Sequence, residues 1–75
     1  MKLSGILKDS FNVNPGDLKD DVRLMSFEEW DSLSHMFFIS KLESVYEVEL
    51  TGDEIADMQT IGDIKKTIKS KGKEL

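Results

Sequence analysis

Residues 31–47 read Asp-Ser-Leu-Ser-His-Met-Phe-Phe-Ile-Ser-Lys-Leu-Glu-Ser-Val-Tyr-Glu. No Gly or Pro interrupts them, and Asp31 or Ser32 can cap their start, so the stretch predicts a helix over 32–47. At about 100° of rotation per residue, Phe38, Ile39, Leu42, Val45 and Tyr46 cluster between about 180° and 300° and form a core face. His35 falls on that side, where it is expected to pack or hydrogen-bond near Trp30. Leu33, Met36 and Phe37 fall on or near the opposite side, with Ser40, Glu43 and Ser44. The helix thus carries a second apolar surface directly below Ser32, and contiguous exposed apolar groups tend to mark partner sites.

The flanks are helical too. Downstream, Thr51-Gly52-Asp53-Glu54 has capping-box spacing and opens a short helix holding Ile55 and Met58. Thr60-Ile61-Gly62-Asp63 repeats the device, and the helix after it presents Ile61, Ile64 and Ile68 and ends near Gly72. Between them, Tyr46 to Leu50 alternates like a strand but has no second strand to pair with. Upstream, Leu3, Ile6, Leu7 and Phe11 make one helical face. Asn12-Val13-Asn14-Pro15-Gly16 stops that helix, because Pro15 cannot continue it. Residues 12–30 then read as an ordered loop with room for one helical turn, pinned to the core by Val13, Leu18, Val22, Leu24, Phe27 and Trp30. The expected fold is all-α: a small four-helix bundle of three longer helices and one short one, with a long first loop. It fills one domain, 1–75, with a basic C-terminal tail at about 69–75.

Composition narrows the function. The chain has 75 residues and no cysteine, so disulfides, zinc-thiolate sites and cysteine nucleophiles are excluded. No apolar run suits a membrane span and no signal peptide is evident, so a cytoplasmic protein is expected. Residues 1–64 hold fourteen acids against five bases, and residues 65–75 hold five lysines against Glu74. The acidic bulk argues against nucleic acid and for basic partner surfaces. Lys65, Lys66, Lys69, Lys71 and Lys73 read as a solvated helix end.

Catalytic groups are scarce. Asp31, Ser32 and His35 cannot converge as a triad from adjacent helix positions. His35 alone is a poor metal site. A calcium loop starting at Asp17 would need Gly at its sixth position, where Val22 stands. No catalytic residue and no metal ligand is assigned. Ser32 is different: a hydroxyl at a helix entrance, after an acid, lies where N–H groups and the helix dipole favour an attached phosphate.

Asp31-Ser32-Leu33, the helix to Tyr46, and Val48-Glu49-Leu50-Thr51-Gly52-Asp53-Glu54-Ile55 through Ile61-Gly62-Asp63-Ile64 resemble the acyl carrier proteins of fatty-acid, polyketide and related biosynthesis. The similarity runs without a gap from Asp31 to Ile68, about half the chain, and the first helix and loop agree in layout. The resemblance implies a 4′-phosphopantetheine arm on Ser32, transferred from coenzyme A by a phosphopantetheinyl transferase, with Asp31 and Leu33 completing the motif. It implies docking of loading and processing enzymes (ligase, synthase, transferase) on Leu33, Met36, Phe37, Ser40 and Glu43. It also implies an acyl pocket lined by Phe38, Ile39, Leu42, Ile55, Met58 and Ile64, and a monomer that touches neither nucleic acid nor membrane. Phe37 and Ser44 stand where fatty-acid carriers commonly place acids, and Lys41 adds a base. Trp30 resembles stand-alone carriers of specialised pathways. The Gly-Gly usual before the motif in peptidyl carriers is replaced by Glu28, Glu29 and Trp30. D-alanyl and aminoacyl carriers share the arm. An unmodified interaction module using the Leu33/Met36/Phe37 face is the alternative of a different class.

Overall fold

The computed structural model of the chain describes residues 2–14 and 18–75. Four α-helices follow in order: α1, Lys2–Phe11; α2, Ser32–Tyr46; α3, Gly52–Asp57; α4, Ile61–Ser70. A 3-10 turn, Leu24–Ser26, supplies the helical turn for which the first loop had room. The expected turn at Pro15-Gly16, and Asp17 of the calcium-like run, lie outside the described residues. No strand forms among the described residues. The alternating run after Tyr46 is loop, because Glu47 turns left-handed (φ 55°, ψ 49°) and its N–H caps the Glu43 carbonyl.

The core follows the apolar spacing. Leu3, Ile6, Leu7 and Phe11 of α1 meet Phe38, Ile39, Leu42 and Tyr46 of α2, with Met58 and with Ile61, Ile64 and Ile68 of α4. The Phe11 ring lies 5.5 Å from that of Phe38 and 5.4 Å from that of Phe27, which ties the first loop to both long helices. Each such side chain contributes roughly 1.5–3 kcal/mol on burial, which makes the α1–α2 seam a main source of stability.

Three capping boxes set the helix starts. Thr51 accepts from the Glu54 N–H while Glu54 accepts from the Thr51 N–H, and Thr60 and Asp63 do the same for α4. The Thr60 N–H, and then the Gln59 N–H, hold the Asp63 carboxyl below its ordinary pKa. Bonds from Thr51 and Lys71 do likewise for Glu54.

The long loop is fastened by its backbone as well as its side chains. Leu24 N–H donates to the Gln59 carbonyl at 3.0 Å, and Ile61 N–H donates to Val22 at 3.0 Å. Gly62 N–H reaches the Asp20 carbonyl at 2.8 Å, and Lys65 Nζ pairs with Asp20 at 2.7 Å. Lys71 pairs with Glu54 at 2.9 Å. Two of the five C-terminal lysines therefore brace the fold rather than lie free in solvent. The last residue is docked too, since the Leu75 carbonyl accepts from Lys2 N–H and from the Tyr46 hydroxyl.

Two glycines should respond oppositely to alanine. A Cβ at Gly62 would sit 3.1 Å from the Asp20 carbonyl oxygen and 3.2 Å from its Cβ. Gly62→Ala should lose about 1 kcal/mol net, overpacking outweighing helix propensity. A Cβ at Gly5 meets nothing within 4 Å, so Gly5→Ala should gain about 0.5–1 kcal/mol. Thermal melts check both, at about 4–8 °C per kcal/mol.

Candidate functional site

The start of α2 is built by three residues with separate tasks. Asp31 is extended (φ −152°, ψ 179°) and is the N-cap: its Oδ1 accepts from Ser34 N–H at 2.7 Å. The Asp31 N–H donates to Ser34 Oγ at 2.8 Å, completing the box. Ser34 Oγ donates back to the Glu29 carbonyl at 3.0 Å, so one hydroxyl fastens the preceding loop to the helix. These bonds, the Ser34 N–H first, hold the Asp31 carboxyl below its ordinary pKa. Ser32, the first helical residue, stands outside this box and is exposed. Sequence reasoning left Asp31 and Ser32 as equal candidates for the cap. The structure assigns the cap to Asp31 and adds Ser34 as its partner, a residue whose signal was the spacing of three after an acid.

Below Ser32 lies the second surface of α2. Leu33 is 82% exposed, Met36 58% and Phe37 49%, and Met25 of the 3-10 turn is 70% exposed. Ser40 is exposed on the same helix. Lys41 Nζ sits 5.8 Å from the centre of the Phe37 ring and 3.9 Å from Asp9. Glu43 is half-buried, and one carboxylate oxygen accepts from Leu50 N–H at 3.0 Å. That oxygen braces the α2–α3 loop, so Glu43 has less to offer a partner than its position on the wheel suggests.

A cleft of about 340 Å³ opens between the first loop, α2 and α3. Leu24, Met25, Ile55, Ala56 and Met58 give it an apolar floor, and Arg23, Trp30, His35 and Gln59 complete its wall. Of the six residues named for an acyl pocket, Ile55 and Met58 line it. Phe38, Ile39, Leu42 and Ile64 are buried in the central core. Sequence reasoning missed Leu24, Met25 and the polar wall, because these reach the cleft through the docked loop.

Trp30 Nε1–H donates to His35 Nδ1 at 3.2 Å, with the two rings edge to face. Indole is only a donor, so Nδ1 carries a lone pair and the imidazole is neutral with its hydrogen on Nε2. Partial burial also pushes the His35 pKa below 6.5, its ordinary value.

Comparison with known proteins places this geometry. Residues 2–68 match the family model described as a phosphopantetheine attachment site. The chain is 29% identical over 69 residues to an acyl carrier protein of Lactobacillus acidophilus, covering 92% of this chain and 86% of the relative. It is 30% identical over 73 residues to the acyl carrier protein MbtL of Mycolicibacterium paratuberculosis, covering 97% and 82%. The solution structure of a holo acyl carrier protein from Geobacter metallireducens superposes with a TM-score of 0.81 at 27% identity, covering 93% of this chain and 80% of that one.

Phe37→Glu should leave stability within about 0.5 kcal/mol, as a surface change does, where truncating a core aromatic costs about 3–5 kcal/mol. A large fall in melting temperature would place Phe37 in the core. For His35 the folded pKa lies below the unfolded one, so its contribution is fully present above about pH 6.5 and lost as pH falls below that. Trp30 fluorescence should be flat above that pH and change below it, and His35→Phe should remove the transition.

Proposed function

The chain belongs to the phosphopantetheine-attachment family of acyl carrier proteins, and from that premise we propose that Ser32 bears its covalent 4′-phosphopantetheine. One observation carries this reading: Asp31 and Ser34 close the helix cap between them, which leaves the exposed Ser32 hydroxyl free for modification. The start of a 15-residue helix suits the attached phosphate, since its first N–H groups and dipole favour negative charge. When attached, the arm supplies a terminal thiol on which acyl groups are held as thioesters. The chain's own residues do the rest. They hold Ser32 at the helix entrance, offer the cleft beside it, and present Leu33, Met36 and Phe37 to enzymes in turn. The protein performs no catalytic step in this reading. Tethering keeps a bound group at millimolar-scale effective concentration near each docked enzyme.

The expected partners are a phosphopantetheinyl transferase and the ligases, synthases and transferases that load and process the cargo. The docking face argues for a specialised pathway. Its centre is apolar, Lys41 sits against Phe37, and Glu43 is partly spent inside the fold. A partner matched to it needs apolar contact there, with basic groups opposite the exposed Glu28, Glu29 and Asp31.

Incubation with a broad-specificity transferase and coenzyme A should add one phosphopantetheine by intact mass. Ser32→Ala should abolish the gain and leave the melting temperature nearly unchanged. A wild-type chain that stays unmodified against several transferases, yet keeps binding partners as Ser32→Ala, would instead be a plain interaction module. Asp31→Ser separates cap from charge. It retains a capping oxygen, so stability should hold, while arm attachment slows about tenfold or more through loss of a charge-assisted contact.

A further inference from the structure

His35 leans back toward the start of α2. On a helix every Cα–Cβ bond tilts toward the N-terminus, so a side chain covers the turn before its own. The His35 ring follows that rule: its Nδ1 accepts from Nε1–H of Trp30, the residue before the cap. Its backbone N–H donates to the Asp31 carbonyl at 2.9 Å, which makes it part of the first turn. Ser32 lies three residues earlier in the same turn, and residues so spaced are side-chain neighbours, about 5–6 Å apart at Cβ. The Trp30 bond needs a lone pair on Nδ1 and therefore a neutral ring. A proton added at Nδ1 breaks it, leaves the indole its own hydrogen and gives the ring a positive charge.

The charges around the ring are few. Asp31 stands one turn back on α2, with Glu28 and Glu29 exposed in the loop before it. The first loop brings Arg23 to the same cleft, and α3 with the residues after it brings Ile55, Ala56, Met58 and Gln59, none of them ionisable. All of these are present with or without an arm. Attachment at Ser32 adds a phosphodiester, whose negative charge does not titrate near neutral pH.

We propose that His35 is a proton-dependent positioning residue for the arm: neutral, it holds Trp30, and protonated, it releases Trp30 and pairs with the phosphodiester on Ser32. This rests on the carrier reading of Ser32. The indole and the phosphate compete for one imidazole, and a proton decides between them. Opposite charges favour each other's ionised forms, so attachment raises the pH at which His35 takes its proton.

The test follows apo and holo protein by NMR between about pH 5 and 8, with arm attachment checked by intact mass. The readouts are the His35 ring, the Trp30 indole N–H and the ³¹P line of the arm. His35 should titrate with a higher midpoint in holo than in apo protein, and high salt should narrow the gap. The ³¹P line and the indole N–H should move with that same holo midpoint. His35→Gln should leave the ³¹P line flat. Trp30→Phe removes the competitor, so His35 should titrate at higher pH in both forms and still carry the ³¹P line with it. Equal midpoints in apo and holo protein, or a ³¹P line that ignores His35, would overturn the inference while the carrier reading stands. Absence of any mass gain would overturn both. If His35→Gln does not fold, the wild-type apo and holo curves decide alone.

Discussion

The structure depends on the clamp between the first loop and the α3–α4 junction. Leu24 N–H meets the Gln59 carbonyl, Ile61 N–H meets Val22, and Gly62 N–H meets Asp20. These bonds join residues 35 to 42 positions apart, so they stabilise only once both long helices are packed. Their consequence is local. They set Leu24 and Met25 against α3, create the cleft, and bring Trp30 to His35 and the chain into α2 at a defined angle. A glycine at 62 suits this clamp, because a Cβ there would press on the Asp20 backbone at 3.1 Å.

What the sequence shows and what it hides divide along that clamp. The helices were legible because each is specified within a few residues: the spacing of Leu3, Ile6, Leu7 and Phe11, and the boxes at Thr51 and Thr60. The two faces of α2 were legible too, since Phe38 and Leu42 are buried where Leu33 and Met36 are exposed. The seating of the loop was not, because backbone bonds such as Leu24 to Gln59 have no side-chain signature. The cleft inherits that opacity. The resemblance implied a pocket that included Phe38, Ile39, Leu42 and Ile64, but these fill the core, as the periodicity of α2 had indicated for the first three, and half the cleft wall comes from the loop.

Electrostatics along α2 follow from the same division. Several acids are absorbed by structure: Asp31, Glu54 and Asp63 in caps, Asp20 in an ion pair with Lys65, Glu43 against a loop N–H. Bonding to a backbone N–H leaves a carboxylate charged, so of these acids Asp20 and Glu54 are the two offset locally, by Lys65 and Lys71. Glu28 and Glu29 stay exposed beside Asp31. Three exposed acids thus stand together at the entrance of α2, with Lys41 further along the same helix.

The division of labour at the start of α2 explains how one serine can be both exposed and well placed. A capping serine would have its hydroxyl tied to the helix backbone, and modification would cost the cap. Here Asp31 accepts the N–H bond and Ser34 returns it, so Ser32 takes helical geometry from its neighbours without spending its own oxygen. Ser34 also bonds the Glu29 carbonyl, so one hydroxyl joins the loop, the cap and the helix. His35 stands one turn further along, held by Trp30, the residue that precedes the cap. The cap that frees the serine thus stands between Trp30 and His35, two residues that line the cleft.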